Sequence, residues 1–70
     1  MEIVIGAMVN GVFIKKGSKV KMAVKNYDSF YAVVTYVDEK RIDFVYKDDN
    51  GNWWDDHEDW GNLDFVELVR

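Results

Sequence analysis

Residues 19–47 read KVKMAVKNYDSFYAVVTYVDEKRIDFVYK, and their periodicity decides the fold. In residues 19–25, Val20, Met22 and Val24 point one way while Lys19, Lys21 and Lys25 point the other. That period-two alternation belongs to a half-buried strand. RIDFVYK, residues 41–47, repeats it, with Ile42, Phe44 and Tyr46 on one face and Asp43 and Lys47 opposite. Between them FYAVVTYV, residues 30–37, is mostly apolar, which predicts a strand covered on both sides. Asp38-Glu39-Lys40 is the turn that joins it to the next strand.

Outward from this segment the same grammar continues. EIVIGAMV-NG-VFIKK, residues 2–16, predicts a hairpin, because Asn10-Gly11 between apolar runs suits a two-residue type I′ turn. DDNGN (48–52) is a turn, WWDDHED (53–59) a short strand and LDFVELV (63–69) a closing strand. No stretch carries a helical period. The expected fold class is all-β: a five- or six-stranded antiparallel barrel with an added N-terminal hairpin. Closure leaves few free edges, and one layer of side chains fills so small an interior. Val20, Met22, Val33, Ile42, Phe44, Phe65 and Leu68 are the expected core. Residues 1–70 read as a single domain, with 1–15 the hairpin extension and 16–70 the barrel.

Seventy residues lie near the lower limit for a core without a staple. The chain has no Cys, which removes disulfides, thiolate chemistry and Cys-ligated zinc. Aromatics at 16% must supply much of the buried area. Glu2 stands where a basic leader would be, and the apolar run from Ile3 to Ile14 is broken by Gly6, Asn10 and Gly11. That predicts neither signal peptide nor membrane span, and a soluble, cytoplasmic protein. Charge is uneven: residues 1–27 hold five lysines against one acid, and residues 28–70 hold four bases against twelve acids. The net −4 opposes strong non-specific binding to nucleic acid. A local basic strip survives it, because charges are screened over a Debye length of ~10 Å.

KGSKVKMAVKNYDSFYAVVTYVDEKRIDFVYKDDNGN, residues 16–52, resembles the Tudor-like branch of the Src-homology-3-like barrels. The resemblance rests on Gly17 with Val20 entering the first strand, the aromatic-Ala-x-Val run Tyr31-Ala32-Val33-Val34, and the acidic Gly-Asn turn from Asp48 to Asn52. Residues 53–69 fit the final hairpin, short turn and closing strand, so the likeness spans residues 16–69. It implies a small barrel in which aromatics from the first loop and the third and fourth strands can cage a methylated cation. The matching positions are Tyr27, Phe30 or Tyr31, Tyr46, and Trp53 or Trp54, with Asp48 or Asn50 as polar partner. Such barrels host many unrelated roles. The hairpin lies outside the pattern.

Several chemistries are tested by spacing. A calcium loop starting at Asp48 has Asn50 and Asn52 in place, but Trp53 where the turn needs Gly and Asp59 where it needs Glu. His57 shares a side only with Asp55 and Asp59, so the sequence predicts no metal and no cofactor. Ser18 and Ser29 lie near no identifiable base, and no enzyme activity is expected. What remains is an interaction module that binds a protein or peptide through Tyr27, Phe30, Tyr31, Tyr46, Trp53 and Trp54. Adjacent Trp53 and Trp54 face opposite ways on a strand, so one is expected buried and the other exposed; Tyr31 and Phe44 are expected to be needed by the core. Two alternatives stand beside this reading. A nucleic-acid surface would use Lys19, Lys21 and Lys25. An acidic mimic of DNA would use Asp48, Asp49, Asp55, Asp56, Glu58 and Asp59 to occupy a basic protein. Finally, apolar residues on both faces of the hairpin predict that residues 2–14 either cap the barrel or join two copies in a symmetric homodimer, with the dimer favoured.

Overall fold

The computed structural model describes residues 5–9 and 11–69. Residues 2–4 of the predicted hairpin and Asn10 of its turn lie outside them. Among the described residues seven strands follow in chain order: β1 (Gly6–Val9), β2 (Val12–Lys15), β3 (Lys19–Val24), β4 (Phe30–Val37), β5 (Arg41–Lys47), β6 (Trp53–Asp59) and β7 (Leu63–Leu68). A single 3₁₀ turn, Trp60–Asn62, separates the last two. β1 and β2 form a two-stranded sheet, and the other five pair in the order β6-β5-β4-β3-β7. Every pairing is antiparallel.

Full closure was expected, yet the five-stranded sheet is open, with β6 and β7 as its ends. The residues β6 turns inward are Trp54, Asp56 and Glu58, so no apolar row draws it toward β7. The hairpin covers the core instead. Ile14, 1% exposed, joins Val20, Met22, Val34, Val37, Ile42 and Phe44 in one buried cluster, and Ala7, Val9 and Val12 pack against it. The turn from β2 to β3 fixes this cover. Gly17, at φ +90°, donates its N–H to the Val34 carbonyl (2.7 Å), and Ser18 Oγ accepts from the Lys15 N–H (3.1 Å). Ser18 is thereby a buried turn residue.

Four expected core residues, Val20, Met22, Ile42 and Phe44, are buried, whereas Val33, Phe65 and Leu68 are half-buried. Val34, Val37 and Val66 occupy interior positions in addition. On β4 and β7 the expected residues Val33 and Phe65 fall on the outer side, paired with Val45 and Ala23, and their neighbours Val34 and Val66 face inward opposite Phe44 and Met22. A register shift between Val34 and Tyr36 then lets Val34 and Val37 share the inner face. Leu68 is opposite Val20 but sits at the strand end, at the rim of the core.

Candidate functional site

The two acidic turns are each built on one aspartate. Asp48 Oδ1 accepts the backbone N–H groups of Asn50 and Asn52, both at 2.9 Å, while Oδ2 accepts the Trp54 indole N–H at 2.7 Å. Gly51 supplies the left-handed residue, φ +82°, that the turn requires. The Trp54 hydrogen bond, followed by the Asn52 N–H, holds the Asp48 carboxyl below the usual carboxylate range. Asp38 repeats the device one hairpin earlier. Its Oδ1 accepts from the Lys40 and Arg41 N–H groups, and its Oδ2 from the Tyr36 hydroxyl (2.9 Å), which lowers its pKa in the same way. The third tryptophan, Trp60, donates its indole N–H to the Asp38 carbonyl at 2.8 Å and ties this turn to the 3₁₀ turn. Asp48, expected as a polar partner for a ligand, therefore spends both oxygens inside its own loop. Among the described residues no three His, Asp or Glu side chains are placed to hold one metal ion.

Strand geometry divides the six expected binding aromatics between two faces. The inner face carries Phe30, Phe44 and Tyr46, whose ring centroids lie 5.1–6.1 Å apart at tilted angles. A tight turn closed by the Tyr27 N–H to the Val24 carbonyl (3.0 Å), with Asn26 at φ 69°, brings Tyr27 and Asp28 to the same place. From β6, Asp56 and Glu58 point inward as cross-strand partners of Phe44 and Ile42. Together these residues line a groove of about 530 Å³, with buried Phe44 as its floor. Tyr27, Phe30 and Tyr46 supply aromatic walls, and Asp28, Asp56 and Glu58 supply negative charge. Trp54 is the cross-strand partner of Tyr46 and extends the aromatic face toward the Asp48 turn.

Tyr31 and Trp53 lie on the outer face, away from this groove. Tyr31 is 64% exposed and is no part of the core. Trp53 and Trp54 do face opposite ways, but both are exposed, at 64% and 53%. β6 is an edge strand, and no further described element roofs its inner side, so alternation alone buries neither. The lysines regroup as well. Lys19 and Lys21 share the outer face with Lys47, whereas Lys25 lies beyond β3 in the turn, its N–H donated to the Asn62 carbonyl. The acidic run of residues 48–59 is split in the same manner, since Asp55 pairs with Val45 on the outer face while Asp56 and Glu58 turn inward.

Of the groove's carboxylates, Asp28 belongs to no candidate set read from the sequence, and Asp56 and Glu58 belong only to the acidic mimic, not to the aromatic surface. The period-two pattern counted from Trp54 would have put Asp56 and Glu58 on its face, but nothing local marks Asp28 beyond its place next to Tyr27. No helix among the described residues is long and apolar enough to cross a membrane. No family model matches the chain, and neither a curated protein nor a solved structure matches it.

Proposed function

We propose that this chain is a non-enzymatic interaction module that grips a cationic side chain of a protein or peptide in the groove between Tyr27, Phe30 and Tyr46. One observation carries the reading: three aromatic rings and three carboxylates open onto one groove, and no cation lines it. Ring faces attract a desolvated ammonium or guanidinium, worth about 0.5–2 kcal/mol for each good contact. The carboxylates add the matching field and favour a positive partner over a neutral one. The strand order β6-β5-β4-β3-β7, with a short turn ahead of the last strand, supports the Tudor-like barrel resemblance. Under that resemblance a methylated lysine is the preferred cation. The exposed Met8 and Phe13 on the outer side of the hairpin support the homodimer as an additional association.

Titration of the protein with a lysine peptide, its trimethylated form and a glutamine analogue tests the groove. The cationic peptides should bind and the glutamine analogue should not. Tyr46→Ala should weaken binding roughly tenfold, in keeping with the loss of one cation–π contact. Tyr46 also packs on Phe44, so a second variant separates binding from stability. Asp56→Asn with Glu58→Gln removes charge from β6 without removing ring packing, and should weaken binding while leaving the thermal midpoint near its original value. Equal binding of all three peptides would sink the reading.

A further inference from the structure

The outer face of the sheet carries a second arrangement that the cation groove does not use. Lys21 pairs with Tyr31 across β3 and β4, and Lys47 pairs with Trp53 across β5 and β6. Val33 pairs with Val45 at the end of the β4–β5 register, and beyond that pair Tyr31 and Lys47 line one groove. Four neighbouring strands thus present Lys21, Tyr31, Lys47 and Trp53 as one transverse row, cation and aromatic in alternation. The contacts are already formed: Lys21 Nζ lies 5.8 Å from the Tyr31 ring centroid, and Lys47 Nζ lies 5.9 Å from that of Trp53. Both rings are 64% exposed. They flank a groove of about 460 Å³ floored by Val33 and Val45, with Lys19 on its rim. At a strand spacing of about 4.8 Å the two rings stand roughly 10 Å apart.

We propose that this row is a binding platform for single-stranded nucleic acid. Bases stack on the free faces of Tyr31 and Trp53, and Lys19, Lys21 and Lys47 take the phosphates between them. An acidic peptide would satisfy the lysines but leave both ring faces without a planar partner. A duplex keeps its bases stacked internally and cannot use the rings. Glu67, opposite Lys21, Asp55, opposite the floor residue Val45, and Asp49, beside the groove, oppose the phosphates. Binding is therefore strongest at low salt and falls steeply as salt rises. The platform's rings and lysines take no part in the cation groove on the other face, although Phe30 lines both grooves.

Fluorescence anisotropy of labelled oligothymidylate and oligouridylate, titrated with the full chain over a range of salt, is the test. Binding at low salt is expected, with log K falling against log salt at a slope of about −2, since each of three phosphate contacts contributes about −0.7. Tyr31→Ala and Trp53→Ala should each weaken binding about tenfold, the loss of one stacked base. Lys21→Gln and Lys47→Gln should each flatten the slope by about 0.7. Lys25→Gln, off the row, should change neither. The proposal is overturned by absence of binding in low salt at the highest soluble concentration, or by affinity that survives both aromatic substitutions. Equal affinity for a duplex of the same length also overturns it. So does poly-glutamate that binds as tightly as the oligonucleotide, which would assign the platform to an acidic protein segment.

Discussion

Two aspartates organise most of what is well defined outside the core. Asp38 and Asp48 each turn a carboxylate inward onto backbone N–H groups and one aromatic donor, Tyr36 or Trp54. Both carboxyls titrate below their ordinary range because those donors favour the charged form. Their contribution to stability is fully present above the unfolded-chain pKa of about 3.9 and is lost as pH falls through the lower folded values. Asp48→Asn should therefore lower the thermal midpoint at neutral pH, and its deficit should shrink as the solution is acidified below about pH 4. Melts of both proteins between neutral and strongly acid pH check this; a deficit that stays constant would show that the charge on Asp48 contributes nothing. In the sequence the DDNGN turn was legible, but the service of Asp48 to Trp54 was not. Residues 48 and 54 meet only because a two-strand register carries them together.

At the scale of elements, the hairpin β1–β2 is an integral cover rather than an appendage. Ile14 is 1% exposed among the core residues, so Ile14→Ala should cost about 2–5 kcal/mol, read from denaturant unfolding. Its opposite side is a different matter. Met8 and Phe13 form an exposed cross-strand pair, and the Phe13 ring lies where any side chain at Gly6 would have to go. Phe13→Lys should leave stability nearly unchanged and, under the homodimer proposal, shift sedimentation equilibrium from dimer to monomer. A wild-type chain that stays monomeric at high concentration would end that proposal. Strand existence and the hairpins were legible because alternation and turn chemistry are local. The phase of β4 was not, since FYAVVTYV is apolar at nearly every position and the register shift at Thr35 leaves no mark in composition. The same local rule failed for Trp53 and Trp54: it fixes which way a side chain points and says nothing about whether a neighbour is there to bury it.

For the whole molecule, one sheet with two differently charged faces accounts for a chain that is acidic overall yet holds a lysine-rich row. Composition shows the sum, and only the pairing register shows that Lys47 joins Lys19 and Lys21 while Lys25 leaves them. The strand order also dictates a sequence of events in time. β3 to β6 follow one another through short turns, so their pairings close small loops, whereas β7 must return past all of them to lie beside β3, with Leu68 against Val20. Closing that long loop costs entropy before any contact repays it, which places refolding on the order of milliseconds to seconds. The β4–β5 hairpin, with its Asp38 turn, is then structured early and β7 docks late. In stopped-flow chevrons Asp38→Ala should slow refolding, while Val66→Ala should mainly accelerate unfolding. If Val66→Ala slows refolding as much as Asp38→Ala does, the last strand already belongs to the nucleus and the order is reversed. Late docking has a cellular corollary: until residues 63–68 have been synthesised, β3 presents an unpaired edge to every other chain nearby.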